Sequence, residues 1–424
     1  MRIEITGARL IDPATGTDAE NDLFLADGRV VAIGRRPDGF TAERRIDARG
    51  QWAIPGLVEL SARLREPGLE FKADITSESR AAVGAGITTL CVPPDTDPVI
   101  DTPAVVDLIV RRARELSLAR IEVIGALTAG LGGERLAEMH ALKMAGCVAM
   151  SNADHTIANA EMMRRAMEYA ATFGLTVMTW CEDGSLARGR HAHGGSAGFA
   201  LGLDPIPPTA ETIMVSRDLL LAEQTGAHVH FCRLSTARAV AMIGEARTRG
   251  LPVSADVAAH QLFLTDAALN DFDTACHVRP PLRSGSDRSA LRDALRDGVL
   301  TAMTSDHQPH EADAKMNPFT ETESGVSGLD TLLGLTLRWA EEDDVPLTTA
   351  LAAVTSGPAA VAGLDRGSVA PGCRADVCLV DPEVRWTVSP DTIRSRGKNT
   401  PFTGYELQGR VTTTIVGGNV VHEA

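Results

Sequence analysis

The stretch Glu59-Leu60-Ser61-Ala62-Arg63-Leu64-Arg65-Glu66-Pro67-Gly68 decides the fold. It follows an apolar run over residues 52–58 and reads as the end of a buried strand opening into a polar loop. Working outward, similar strand-like runs recur at 88–93, 121–127, 147–152, 176–182, 228–234, 253–258 and 300–305, which with 57–61 makes eight. Stretches with helical spacing separate them, at 75–85, 104–116, 158–172, 209–225, 236–249 and 287–296. Eight repeats of strand then helix predict an α/β fold, a closed (β/α)8 TIM-like barrel, whose functional residues lie at the C-terminal ends of the strands.

The two ends of the chain read differently. Residues 1–50 alternate apolar and polar, with turn signals at Asp12-Pro13, Asp27-Gly28 and Arg49-Gly50. The stretch from Gly367 onward does the same, and neither end is long enough for a comfortable core of its own. We therefore expect residues 1–51 and 367–424 to form one composite β-sandwich domain beside a barrel at 52–366.

Composition narrows the function class. With 424 residues and 44% hydrophobic content the chain can bury a large core. No apolar run reaches the roughly 18 residues of a membrane span, and the N-terminus alternates like a strand, so a cytoplasmic location is expected. A net charge of −15 argues against a nucleic-acid groove or an acidic membrane surface as partner. The seven cysteines fall mostly in apolar runs, as reduced core thiols do.

The opening stretch resembles the first barrel strand of the amidohydrolase superfamily, in its dihydroorotase branch, where Pro-Gly-Leu-Val-Asp-Leu-His-x-His-Leu-Arg-Glu-Pro-Gly brings two histidines to a metal centre. Leu64-Arg65-Glu66-Pro67-Gly68, Leu201-Gly202-Leu203, Pro280-Pro281-Leu282-Arg283, Asp306-His307-Gln308-Pro309-His310 and Gly328-Leu329-Asp330 carry the resemblance onward in order. At the C-terminal end, Ala370-Pro371-Gly372 and Lys398-Asn399-Thr400-Pro401-Phe402 are similar to that branch's signatures. The resemblance implies about six ligands around one or two zinc ions that generate hydroxide at neutral pH.

Residue by residue, that implied centre is altered. The two histidine positions are Ser61 and Arg63, and the fourth strand, where a carboxylated lysine or an aspartate is implied, has Asn152 or Ala153. Trp180 replaces the fifth-strand histidine and Arg233 the sixth-strand one, while Asp306 keeps the residue that serves as ligand and general base. Asp154 is the nearby carboxylate that a shifted register could bring in. An arginine has no lone pair to give a metal, so zinc is expected to be absent and no catalytic residue is expected beyond the remnant base. The implied substrate-binding positions are Arg65, Asp95 in place of asparagine, and His310.

His228 and His230 share a strand face by period two, but a face that turned them inward would turn Arg233 outward, so a structural role is expected. His191 and His193 are expected in a solvated loop. The resemblance extends to inactive bacterial homologues that serve as non-catalytic subunits of aspartate carbamoyltransferase. It implies that catalytic chain as a partner in pyrimidine biosynthesis, together with homo-oligomer contacts. Two other readings stay open: an active amidohydrolase on a cyclic amide such as dihydroorotate or a hydantoin, with a reduced metal site, and a ligand-binding regulator using the pocket around Arg65.

Overall fold

A computed structural model describes residues 1–424. The eight expected barrel strands are present as Leu57–Glu59, Ile87–Val92, Arg120–Ala126, Cys147–Ser151, Thr176–Trp180, Val229–Cys232, Val253–Ala258 and Ala302–Thr304. They pair in parallel in that order. Beyond the last strand the barrel closes through a parallel bridge between Ala62 and His307, with Arg63 N donating to His307 O at 2.9 Å and His307 N to Ser61 O at 3.0 Å.

A buried carboxylate reinforces this seam. Glu59 accepts from Ser61 N and Ser305 N, each at 2.7 Å, and from the Thr304 hydroxyl, so its two oxygens tie the first strand to the eighth. Complete burial, only partly offset by these donors, pushes its carboxyl up to about 7.

The expected outer helices form, several with caps written in the sequence. Asp74 and Ser77 make a reciprocal capping box on Ile75–Gly84, and Ser284 and Asp287 make another on Gly285–Arg296. Helices at Met139–Ala145, Leu332–Glu342, Leu347–Ala352 and Ser356–Val361 were not anticipated. Leu332–Glu342 is buried at most positions, because it is wedged between the barrel and strand Glu406–Val416 of the terminal sheet.

Strands from both chain ends form one separate sheet. Val377–Thr387, Glu406–Val416 and Asn419–Glu423 join Ile3–Asp12, Thr17–Ala26 and Arg29–Ile33 through Trp52–Pro55. The barrel therefore begins at Leu57 and not at Trp52, since Trp52–Pro55 pairs into the sheet on both of its edges. A bulge between Ile5 and Ala8, with Gly7 at φ +69°, bends the first strand, and the sheet encloses a small core of its own that includes Ile3, Leu10, Leu25 and Leu379. No helix is long and apolar enough to cross a membrane.

Candidate functional site: an ion-pair ring at the barrel mouth

Four charged side chains from four strand ends meet at the mouth. Arg63 follows the first strand, Asp154 the fourth, Arg233 the sixth and Asp306 the eighth. Arg233 Nη1 lies 2.7 Å from Asp306 Oδ1, and its Nη2 contacts Asp154 Oδ1. Arg63 Nη2 lies 2.7 Å from Asp154 Oδ2, and its Nη1 lies 3.7 Å from Asp306 Oδ1. Each carboxylate is thus shared by both guanidiniums, which closes a ring of alternating charge. Arg63 Nε adds a fifth member by donating to Asp95 Oδ2 at 2.6 Å.

Burial decides which of these pairs matter. The side chains of Arg63, Arg233 and Asp306 are 5%, 4% and 2% exposed, whereas Asp154 is 32% exposed. An unpaired charge at the first three positions would cost several kcal/mol, and solvent screens Asp154 more. Burial alone would raise the Asp154 carboxyl, but Arg233 and Arg63 outweigh it and hold the group well below the usual carboxylate range.

Local backbone aims these groups inward. Arg233 has φ +53°, Asp306 +46°, Ala153 +48° and Arg65 +65°, so several strand ends turn through the left-handed region with residues other than glycine. At Arg233 the turn is held by Asp256, whose Oδ1 accepts from Arg233 N at 2.6 Å. This corrects the strand-face argument. His230 is fully buried and faces inward, and Arg233 does too, because the strand ends at Cys232 and the left-handed residue breaks the period of two.

Trp180, 6% exposed at the end of the fifth strand, lays its ring under Arg233 with 4.3 Å from the guanidinium carbon to the ring centroid. Ser61 and Asn152 stand apart from the ring of charge. Ser61 contributes backbone to the barrel seam, and Asn152 fixes the third-strand loop by accepting from Thr128 N and Oγ1 and donating to Leu131 O. Ala153 supplies only its positive φ, so the fourth-strand carboxylate is Asp154.

On the other side of Arg63 lie the positions that the resemblance implies for substrate binding. Arg65 donates to Pro309 O at 3.0 Å and approaches His310 Nε2 at 3.2 Å. Lys72 Nζ lies 3.1 Å from His310 Nδ1, while His310 Nε2 lies 2.9 Å from Ser324 O. A lysine can only donate and a carbonyl can only accept, so His310 is the neutral tautomer with its proton on Nε2. Burial and the charges of Arg65 and Lys72 lower its pKa to about 2. The Nη2 of Arg65 then finds no acceptor on His310. Burial, and then repulsion from Arg63, lowers Arg65 to about 10. Asp95 pairs with Arg63 and makes no direct contact with Arg65, although its charge is near enough to favour that cation.

Several residues were missed in sequence. His260, 1% exposed on the turn after the seventh strand, sits beside Asp306 and Arg233 with no protein partner on either ring nitrogen, and burial lowers it to about 4. Its place directly after a strand was the available signal. Arg279 pairs with Glu182 at the rim, a contact between loops that only the fold reveals. His193 is buried near Arg283 instead of solvated, because its loop folds back as the short strand Ala192–His193.

The Dihydro-orotase-like family matches residues 50–239, and the Amidohydrolase family matches residues 225–422. A "Dihydroorotase-like protein" of Pseudomonas aeruginosa is 49% identical over 423 residues, covering 100% of both chains. The chain belongs to the dihydroorotase-like amidohydrolases. A protein named "Dihydroorotase" from Anaeromyxobacter dehalogenans is 43% identical, covering 99% of this chain and 97% of its own. The fold is shared with the L-hydantoinase (dihydropyrimidinase) of Arthrobacter aurescens, with TM-score 0.85 and 24% identity over 99% of this chain and 96% of that one. It is also shared with the dihydropyrimidinase of Brevibacillus agri, with TM-score 0.86 and 22% identity over 100% and 95%.

In this dihydroorotase-like chain the donor set does not fit the zinc centre that the resemblance implies. Zinc takes lone pairs from neutral imidazole, thiolate or carboxylate, and two of the strand ends supply guanidiniums instead. The carboxylates that remain, Asp154 and Asp306, are each shared by two arginines. His230, Cys232 and Asp256 do bring one ligand atom each to within 4.8 Å of the others. Both nitrogens of His230 are already engaged, by Ser254 Oγ at 2.7 Å and Asp256 Oδ2 at 2.9 Å, which makes the trio a structural network.

Proposed function

We propose that this dihydroorotase-like protein is a catalytically inactive homologue, a pseudoenzyme that binds no zinc and acts as a structural subunit. The observation that carries the reading is the ring formed by Arg63, Asp154, Arg233 and Asp306. Two cations occupy the strand ends where two ligands would stand, and the remnant base Asp306 is neutralised by both. A general base must be within reach of the proton it takes, and both guanidiniums and the Gln308 amide crowd Asp306 at Oδ1. A divalent ion entering beside them would meet like charge within a few ångströms in a partly buried pocket, a repulsion of several kcal/mol.

The partner we propose is the catalytic chain of aspartate carbamoyltransferase, on the strength of the resemblance to the inactive bacterial homologues. In that role the barrel and terminal sheet are kept as a scaffold in pyrimidine biosynthesis. The active reading, hydrolysis of dihydroorotate or a hydantoin, would require Asp306 to be released from both arginines. Co-expression with the carbamoyltransferase catalytic chain tests the proposal. We expect the two to co-elute on size exclusion at micromolar concentration, with no interconversion of carbamoyl aspartate and dihydroorotate by this chain alone. Separate elution, or a hydrolysis abolished by Asp306→Ala, would overturn it.

A further inference from the structure

A plugged mouth has no substrate traffic to serve, yet its loops expose large apolar side chains. Phe71, Phe199, Phe272 and Met316 are 58%, 64%, 45% and 74% exposed, and each comes from a different loop at the C-terminal end of the barrel. They lie along one arc of the rim. The short helix Ser196–Ala200, carrying Phe199, packs on the turn Asp266–Phe272. Thr274, just beyond Phe272, donates to Lys315 O at 2.8 Å, which places Met316 next. Lys72, beside Phe71, reaches Glu311 and Glu323 of that last loop at 3.9 and 3.8 Å.

Phe272 is held in this position at φ +58°, directly after Asp271 at φ +59°. Two successive left-handed residues, one of them aromatic, are costly backbone spent on presenting a side chain to water. Large apolar side chains exposed on neighbouring loops of one rim mark an interaction site. Its frame is acidic: Asp271, Asp273, Asp313, Glu321 and Glu323 are exposed on the same two loops, whereas of the cations there Lys315 is half-buried, Arg283 is buried and Arg279 is paired with Glu182.

From this we infer that the barrel-mouth rim is the docking surface for a protein partner that presents basic side chains around an apolar centre. A second copy of the chain does not suit it, because a two-fold contact through this face would set the same carboxylates against each other. Nucleic acid and acidic membrane are repelled for the same reason. The inference rests on the subunit reading above, with the carbamoyltransferase catalytic chain as the occupant.

Binding of that catalytic chain to the full-length protein is the test, with two double variants. Phe272→Asp with Met316→Asp alters the rim, and Ile213→Asp with Leu220→Asp alters the exposed side of helix Thr209–Thr225 on the outer wall. All four sites are exposed, so unchanged melting temperatures are expected and serve as the folding control. We expect the rim variant to bind at least about thirtyfold more weakly, as loss of interface hot spots does, and the outer-wall variant to bind like wild type. Added salt should weaken the wild-type complex. If the rim variant binds like wild type, the surface is wrong while the subunit reading stands. If wild type itself fails to bind, the subunit reading falls and this inference with it.

Discussion

The two halves of the barrel mouth have departed from the dihydroorotase pattern in different ways. On the metal side, charge was replaced by charge: two guanidiniums now face Asp306 and Asp154, and an indole lies beneath one of them. On the substrate side Arg65 and His310 persist, with a neutral imidazole between two cations and no carboxylate paired to Arg65. The difference follows from burial. Asp306 is nearly sealed from water and cannot stand alone, so it needs a cation beside it, which Arg233 and Arg63 supply. Arg65 is only half-buried, and water can solvate it.

The sharpest way to break this comparison is to remove one arginine from the sealed half. Arg233→Met should cost about 3–5 kcal/mol in urea unfolding, because Asp306 then keeps only one guanidinium, the more distant Arg63, beside the neutral Gln308 amide that donates to it at 3.1 Å. Adding Asp306→Leu should recover part of that loss, since the stranded charge goes too. A cost below about 1 kcal/mol for Arg233→Met would mean that the ring is decorative.

Next in size is a pH effect below the mouth. Glu59 rises from 4.5 in the unfolded chain to about 7 in the fold, mainly through burial. Its stabilising contribution is therefore complete below about pH 4.5 and is lost as pH rises through about 7, by about 3 kcal/mol in total. Denaturation at a series of pH values should show this slope, and Glu59→Gln should flatten it. Asp154 has the opposite sign. Its lowered pKa gives stability that is present above about pH 4 and lost only as pH falls through the depressed value.

Smaller effects sharpen the contrast. Trp180→Leu keeps an apolar floor but removes the ring under Arg233, and should cost about 2 kcal/mol. Arg65→Met should be neutral within about 0.5 kcal/mol, or slightly stabilising, since it relieves repulsion with Arg63. A large loss at Arg65 would show that the two halves are one network.

The barrel was legible because fully buried parallel strands are short apolar runs at regular spacing, and all eight stand where those runs lie. That Arg63, Arg233 and Asp306 stand near one another was also legible, since the resemblance placed each at a strand end and strand ends converge. What escaped was conformational. The left-handed turn at Arg233, fixed by the Asp256 carboxylate one strand away, is not encoded in a period-two pattern. Asp154 entered as a shared counter-ion one residue beyond the expected position because Ala153 has positive φ. Trp52–Pro55 was assigned to the barrel because an apolar run does not announce which sheet it joins.

Metal analysis tests the central claim most directly. Protein purified without chelators and dialysed against zinc, then against buffer, should retain far less than stoichiometric zinc, with no difference between wild type and Asp306→Ala. Stoichiometric zinc in wild type that Asp306→Ala abolishes would contradict an arginine-filled mouth, because both carboxylates would then have to leave their guanidiniums to bind it.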